Sequence, residues 1–415
     1  MKKEEFYREA LSNAVGPLEG IRVLEATTSQ AGPIAGTVLA DMGAEVIKID
    51  QPRVGDLLRK APPFLESPSV LDRSSFHMSV NRNKKNITLD FRTAQGRKIF
   101  FDLIRQMKID VVIENFKPGT MAKWGLGYEE VKAVRPDIVY VSVSGRGQFG
   151  PNHAKPSYDC VGQAEGGLMN VTGQPGDPPT RAGYGMGDDL AGWQGAFGAM
   201  AALVYRSETG IGQHVDVSQQ DTILYCSDMG IMGTANAGLD WKRMGSGNDA
   251  VSPYDAYPCQ DGYIFIAIVL DSHWMRFCQV IGREDLIADP QTQTQTSRAL
   301  NKPYVDEAVS AWTQQRTVDE AFKALDQIQV VVCPILDLQQ ILEDRHVQER
   351  DMIEEVDHPL CGKLKVYGVA PKFSLTPARV RSAAPLFGQH NEEIYAGVLD
   401  LSAEELVRLQ EEGVI

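Results

Sequence analysis

Apolar residues change period repeatedly along the first third of the chain. "GIRVLEAT" (20–27), "EVIKID" (45–50), "IDVVIENF" (109–116) and "DIVYVSVSG" (137–145) are compact runs rich in Val and Ile and predict strands. "RTAQGRKIFFDLIRQMK" (92–108) and "GYEEVKAVRP" (127–136) carry their apolar residues at helical spacing. After the first strand, "AGPIAGTVLADMGA" (31–44) has a proline suited to a helix's first turn. Alternation of this kind predicts a parallel sheet with helices on both faces.

Beyond Val217 the pattern changes. "SDMGIMGTANAGLDWKRMGSGNDAVSP" is rich in glycine and polar residues, and "YPCQDGYIFIAIV" reads as two strands joined at Asp261-Gly262. Helical patterns follow around Ser272–Ile281 and Val305–Leu325, "VVVCPIL" reads as a buried strand, and "SAEELVRLQEEG" as a surface helix. The expected organisation is a large Rossmann-like domain from residues 1–224, a small α+β domain from 225–330, and a return to the large domain over 331–415.

Composition narrows the function. With 415 residues, 43% of them hydrophobic, the chain has room for more than one core, and it has no low-complexity tract. A net charge of -14 argues against a general nucleic-acid binder, which needs basic surface. The widely spaced cysteines Cys160, Cys226, Cys259, Cys278, Cys333 and Cys361 form no CxxC pair, which fits reduced packing residues rather than a disulfide or zinc framework. The first residues lack the apolar segment of a signal peptide, and the apolar run Ala191–Tyr205 falls short of the roughly 20 residues that span a bilayer. A cytoplasmic protein without membrane partners is expected.

Candidate chemistry centres on "GMGDDLAGWQ", where Asp188 and Asp189 follow Gly187 at the start of an apolar helical run. An acid there serves most commonly as a helix cap, and the same position also suits a reactive carboxylate. Successive helical residues diverge by about 100°, so the two cannot face one substrate together. Arg82, Lys84, Lys85, Lys117 and Lys123 cluster near strand ends, where an open α/β sheet binds ligands, and basic residues there suit phosphates. The first loop, "TSQAGP", lacks the GxGxxG dinucleotide fingerprint, the histidines show no metal spacing, and no GxSxG elbow is present.

Taken in order, "PLEGIRVLEATTSQAGPIAGTVLADMGAEVIKID", "NRNKKNITLD", "VVIENFKPGTMAKWGLGYEEV", "VSVSGRGQFGP", "YDCVGQAEGGLMNVTGQPGDPP", "GDDLAGWQGAFGAMAAL", "TGIGQHVDVSQQD" and "APLFGQHNEEI" resemble the family III CoA-transferases, which include formyl-CoA, carnitine and bile-acid CoA-transferases of the CaiB/BaiF type. The resemblance implies an open Rossmann-like large domain, a smaller domain and two subunits interlocked as a dimer. It assigns the catalytic carboxylate to Asp188 and leaves Asp189 where the family varies. Gln30, Asn115 and Phe116 would line the CoA and active-site region, Lys84 and Lys123 would meet CoA phosphates, and the loop containing Gly245 and Gly247 would cover the site.

The reaction so implied moves CoA from an acyl-CoA to a small carboxylic acid through aspartyl anhydride and aspartyl-CoA intermediates, with no metal or prosthetic group. Compared with formyl-CoA transferase, the glycine loop is shorter, Gln51 replaces an arginine and Arg146 a tyrosine, so that enzyme's substrates do not carry over. Arg146, Arg181 and Arg243 are candidates either for a second substrate carboxylate or for surface ion pairs. Two further readings stand beside the first. An α-methylacyl-CoA racemase would carry a histidine where this chain has Tyr158 before Asp159, and a non-catalytic subunit of a heteromeric transferase would not need Asp188.

Overall fold

The structure, a computed structural model, describes residues 1–415 and divides into two compact units. The first comprises residues 1–168, 181–232 and 345–415, and the second residues 169–180 and 233–344.

In the first unit, β1 (Arg22–Ala26), β2 (Glu45–Asp50), β3 (Lys85–Thr88), β4 (Val111–Glu114), β5 (Val139–Ser144) and β6 (His214–Ser218) form one sheet in the order β3-β2-β1-β4-β5-β6. Every pairing in it is parallel. Neither β3 nor β6 stands out in the sequence, because each is short and polar residues interrupt it. Alternation along the buried strands feeds two cores. Leu24, Ile47 and Val112 pack with Phe100 and Leu103 of the helix Ala94–Gln106. Val23, Val46 and Val141 face the helices Ala31–Asp41 and Met186–Thr209. Apart from Asp188 and Leu203 the latter helix buries only Gly and Ala, among them Ala191, Gly195, Ala196 and Ala199, so its backbone lies close to the sheet.

Charge is also buried. Lys48 of β2 has its ammonium 2.9 Å from Asp56, 3.4 Å from Glu25 and 3.8 Å from Asp50, with every side chain shut off from solvent. Arg59 extends the cluster, pairing with Asp50 at 2.7 Å and Asp72 at 2.8 Å. Lys84 completes it: its Nζ lies 2.8 Å from Glu25 and donates to Pro33 O, Val80 O and the Asn81 Oδ1. The expectation that Lys84 meets a CoA phosphate is therefore corrected, since its ammonium is fully buried and engaged. Arg82 is likewise buried against Asp41, at 2.6 Å. Lys85, half-buried, pairs with Glu45 and Glu393.

The free edge of β3 is closed by a distant segment of chain. Asn86 N donates to His390 Nδ1 and Thr88 N to Asn391 Oδ1, while His390 N donates to Asn86 O and the Tyr395 hydroxyl to Thr88 O.

The second unit holds β7 (Tyr254–Pro258), β8 (Tyr263–Ala267) and β9 (Val331–Pro334), an antiparallel sheet in that order, joined between β7 and β8 at the expected Asp261-Gly262 turn. Trp274, Phe277, Val305, Val309 and Leu325 from its helices form a separate core. Here the boundaries differ from expectation. β9 was expected to be buried and to begin the return to the large domain, but it is a partly exposed edge strand paired to β8, and the return comes at Arg345. Of the six free cysteines only Cys278 is buried, so packing explains one of them. No helix is long and apolar enough to cross a membrane.

Removing one member of a buried ion cluster leaves the other uncompensated, so Lys84→Ala is expected to lower stability by about 3–5 kcal/mol. Urea denaturation followed by far-UV circular dichroism measures it; an unchanged midpoint would contradict the buried pairing.

Candidate active site

The sheet order reverses direction between β1 and β4, and the carboxyl ends of these strands open the crevice where such folds bind ligands. The chain leaves β1 through Thr27–Gln30, with Ser29 in the left-handed region at φ 65°. That strained turn is held on both sides. Ser29 N donates to Asp56 Oδ1 at 3.1 Å, and Asn115, just beyond β4, accepts from Thr28 N at 2.9 Å and donates to Thr28 O at 2.7 Å. Glu114 accepts from Phe116 N at 2.8 Å and fixes the next residue. Burial pushes the Glu114 carboxyl up to about 7, against its hydrogen bonds with Ser142 and Phe116 N. Phe116 meets Trp124 edge-on, with ring centroids 5.2 Å apart.

Asp188 enters this crevice from the helix Met186–Thr209, of which it is the third residue. It is not the cap: Gly185 holds that position and offers no side chain. The cap is supplied by Asp159, whose Oδ1 accepts from Gly187 N at 2.8 Å and more weakly from Asp188 N at 3.4 Å. Gly187 is required here, because a Cβ would lie 2.8 Å from the Asp159 carbonyl oxygen. Relieved of capping, Asp188 lines a cleft of about 300 Å³ together with Gln30, Asn115, Phe116, Tyr158 and Gln219. Its Oδ1 accepts a hydrogen bond from Gln219 Nε2. Asp189 turns away and accepts from Gln30 Nε2 at 2.6 Å.

Burial pushes the Asp188 carboxyl up to about 7, the Asp159 and Asp189 carboxylates add to this, and the Gln219 amide works against it. Asp189 is raised too, chiefly by burial, with the Gln30 bond opposing. A carboxylate with little solvation, ionised near neutrality and open to a cleft, is suited to nucleophilic attack.

Of the residues expected at the site, Asp188, Gln30, Asn115 and Phe116 come together in this cleft, and Lys84 does not. Lys123 is exposed at the end of the short helix Thr120–Lys123, beside Trp124. Gly245 and Gly247 lie in the second unit, where Gly245 has φ 65° and its N–H donates to Gly173 O at 2.9 Å. The arginines are engaged: Arg146 pairs with Glu165 at 2.6 Å, Arg181 with Asp159 at 3.3 Å, and Arg243 donates to Asn170 O at 2.8 Å. Sequence reasoning passed over Asp159 as a cap and Gln219 as a partner of Asp188. An acid 29 residues before Asp188 gives no local signal.

Fold and site together define an α/β protein with a partly desolvated carboxylate in a cleft at a topological switch point. The profile of CoA-transferase family III matches residues 18–391. The succinyl-CoA–D-citramalate CoA-transferase of Chloroflexus aurantiacus is 36% identical over 96% of this chain and 98% of its own. The human succinyl-CoA:glutarate CoA-transferase is 31% identical over 97% and 91%. The crystal structure of a CAIB/BAIF family protein from Brucella suis superposes with a TM-score of 0.83 at 31% identity, covering 92% of this chain and 99% of that one. The chain belongs to CoA-transferase family III.

Because folding raises the Asp188 pKa from 3.8 to about 7, the folded state holds this proton more tightly than the unfolded chain, and Asp188 lowers stability as pH rises through that window. Asp188→Asn is therefore expected to be more stable than the natural protein at pH 8, by on the order of 1–3 kcal/mol, with the gap closing below about pH 4. Thermal melts across pH give the readout, and a gap independent of pH would refute it.

Proposed function

We propose that the protein transfers CoA from an acyl-CoA donor to a carboxylic acid, with Asp188 as the nucleophile. The observation that carries this reading is the partly desolvated Asp188 carboxylate, freed from capping by Asp159 and open to a cleft at the switch point. The Asp188 oxygen attacks the acyl carbonyl, the C–S bond breaks and CoA thiolate leaves, giving a mixed anhydride. The thiolate then attacks the aspartyl carbonyl and expels the donor acid, leaving an aspartyl-CoA thioester. The acceptor carboxylate reverses these steps and departs as its CoA ester.

The relatives named for succinyl-CoA favour a succinyl donor and small dicarboxylic acceptors. The exposed Lys117 and Lys155 on the rim of the Asp188 cleft would take the second carboxylate, a role the paired Arg146 and Arg181 are less free to fill. Lys123 would meet a CoA phosphate. CoA enters as substrate, and the chemistry asks for no prosthetic group. The racemase reading lacks support, since Tyr158 precedes Asp159 and the Asp188 cleft is lined by no histidine.

We further propose a homodimer working in the cytoplasm. The helix Met186–Thr209 leaves Trp193, Phe197, Val204 and Tyr205 on its exposed face, an apolar surface that a second copy would cover. A relative named as a beta subunit makes an unlike partner the competing outcome. Mass photometry of the purified chain should give twice the 45.7 kDa monomer; a monomer without activity would point to the unlike partner.

Incubation with succinyl-CoA followed by hydroxylamine trapping and peptide mass spectrometry should place the adduct on Asp188 and leave Asp189 unmodified. Against a panel of acids, dicarboxylates should be converted at least tenfold faster than monocarboxylates of equal length, about 1.4 kcal/mol of discrimination. The acid limb of kcat/KM should fall near pH 7, where Asp188 protonates. Lys123→Ala should weaken CoA binding without altering Tm. An active Asp188→Ala protein would sink the mechanism.

A further inference from the structure

Gln219 is the first residue of the helix Gln219–Tyr225 that follows β6, and its side chain is buried. A primary amide presents one acceptor end and one donor end, and either could face Asp188. The carboxylate removes the choice: ionised Asp188 only accepts, so Nε2 donates to its Oδ1, and the Ser157 hydroxyl donates to Gln219 Oε1 at 2.7 Å on the other side. The backbone opposite is cut back to admit this pair, since a Cβ on Gly145 would lie 2.1 Å from Ser157 Oγ. A surface contact would need none of this construction.

The two oxygens of Asp188 are thus unlike: Oδ1 is held by a fixed donor, and Oδ2 is the one left to react. We propose that Gln219 is a catalytic hydrogen-bond donor that keeps Oδ1 as the carbonyl oxygen throughout turnover and receives the negative charge formed there when CoA thiolate or the acceptor carboxylate adds to Asp188 Cγ. Ser157 is its positioning residue. The inference rests on the reading of Asp188 as the nucleophile.

The atom balance gives it a signature. Oδ2 forms the bond to the donor acyl carbon, and CoA thiolate leaves. When thiolate adds to Cγ, the carbonyl electron pair moves to Oδ1; collapse breaks Cγ–Oδ2, and Oδ2 departs within the donor acid. An oxygen of the acceptor carboxylate bonds to Cγ as thiolate is expelled. That oxygen remains on Asp188 when thiolate takes the acceptor acyl group. Each turnover therefore replaces one Asp188 oxygen and spares the one Gln219 holds. A carboxylate free to rotate would lose both within a few turnovers.

The test uses the full-length protein with succinyl-CoA and succinate labelled with heavy oxygen in its carboxylates. Entry of label into succinyl-CoA demonstrates turnover, and the Asp188 peptide is weighed after many turnovers. The natural protein should carry one heavy oxygen on Asp188, and Gln219→Met and Ser157→Ala should carry two. Gln219→Met, close in volume and without a donor, should also lose about 100-fold in kcat with KM little changed, and its acid limb should move to higher pH. Two heavy oxygens in the natural protein, or one in both variants, would overturn the role of Gln219 and leave the nucleophile standing. Turnover with no label on Asp188 would overturn the nucleophile itself, and failure of label to reach succinyl-CoA would overturn the proposed reaction.

Discussion

The ammonium of Lys48 is the point on which the first unit turns. Burial opposes its charge, and the Asp56, Glu25 and Asp50 carboxylates outweigh that penalty and hold its pKa above the ordinary lysine value. A charge at such depth is tolerable only with all its partners in place. Their placement fixes the loops: Asp56 carries the turn at Ser29, and Arg59 carries Asp72, which in turn accepts from Phe387 N. Lys48 also donates to Thr27 O, at 3.0 Å. The mouth of the crevice is therefore braced from beneath by ions, whereas the sheet behind it is held by aliphatic packing.

On that base three acids divide the work at one helix end. Asp159 answers the unpaired N–H groups, Asp189 is tied to Gln30, and Asp188 is left to the cleft. The arrangement keeps a carboxylate near a helix start free of the backbone. There the backbone would itself bind the carboxylate and blunt it, unless another acceptor stands in its place.

Much of this was legible from the residues. The strands β1, β2, β4 and β5 carry long enough apolar runs to be read directly, and the order of motifs carried the family. What escaped shares a physical cause. Lys84 looks like a phosphate ligand because its burial depends on Glu25, which lies 59 positions away in the chain. β9 looks like a core strand because its run of valines does not say which sheet it joins. Gln219 and Asp159 act through contacts with no periodicity at all.

The closure of β3 bears on the order in which the molecule can be made. The residues that satisfy Asn86 and Thr88 lie 303 or more positions later in the chain. While the ribosome is still producing the intervening sequence, which includes the second unit, the first sheet presents an open row of amides and carbonyls on one side. Such an edge invites pairing with the same edge of a neighbouring nascent chain. β3 is short, and the half-buried Lys85 stands at its start. Brevity and positive charge restrain that misassembly until the closing segment arrives.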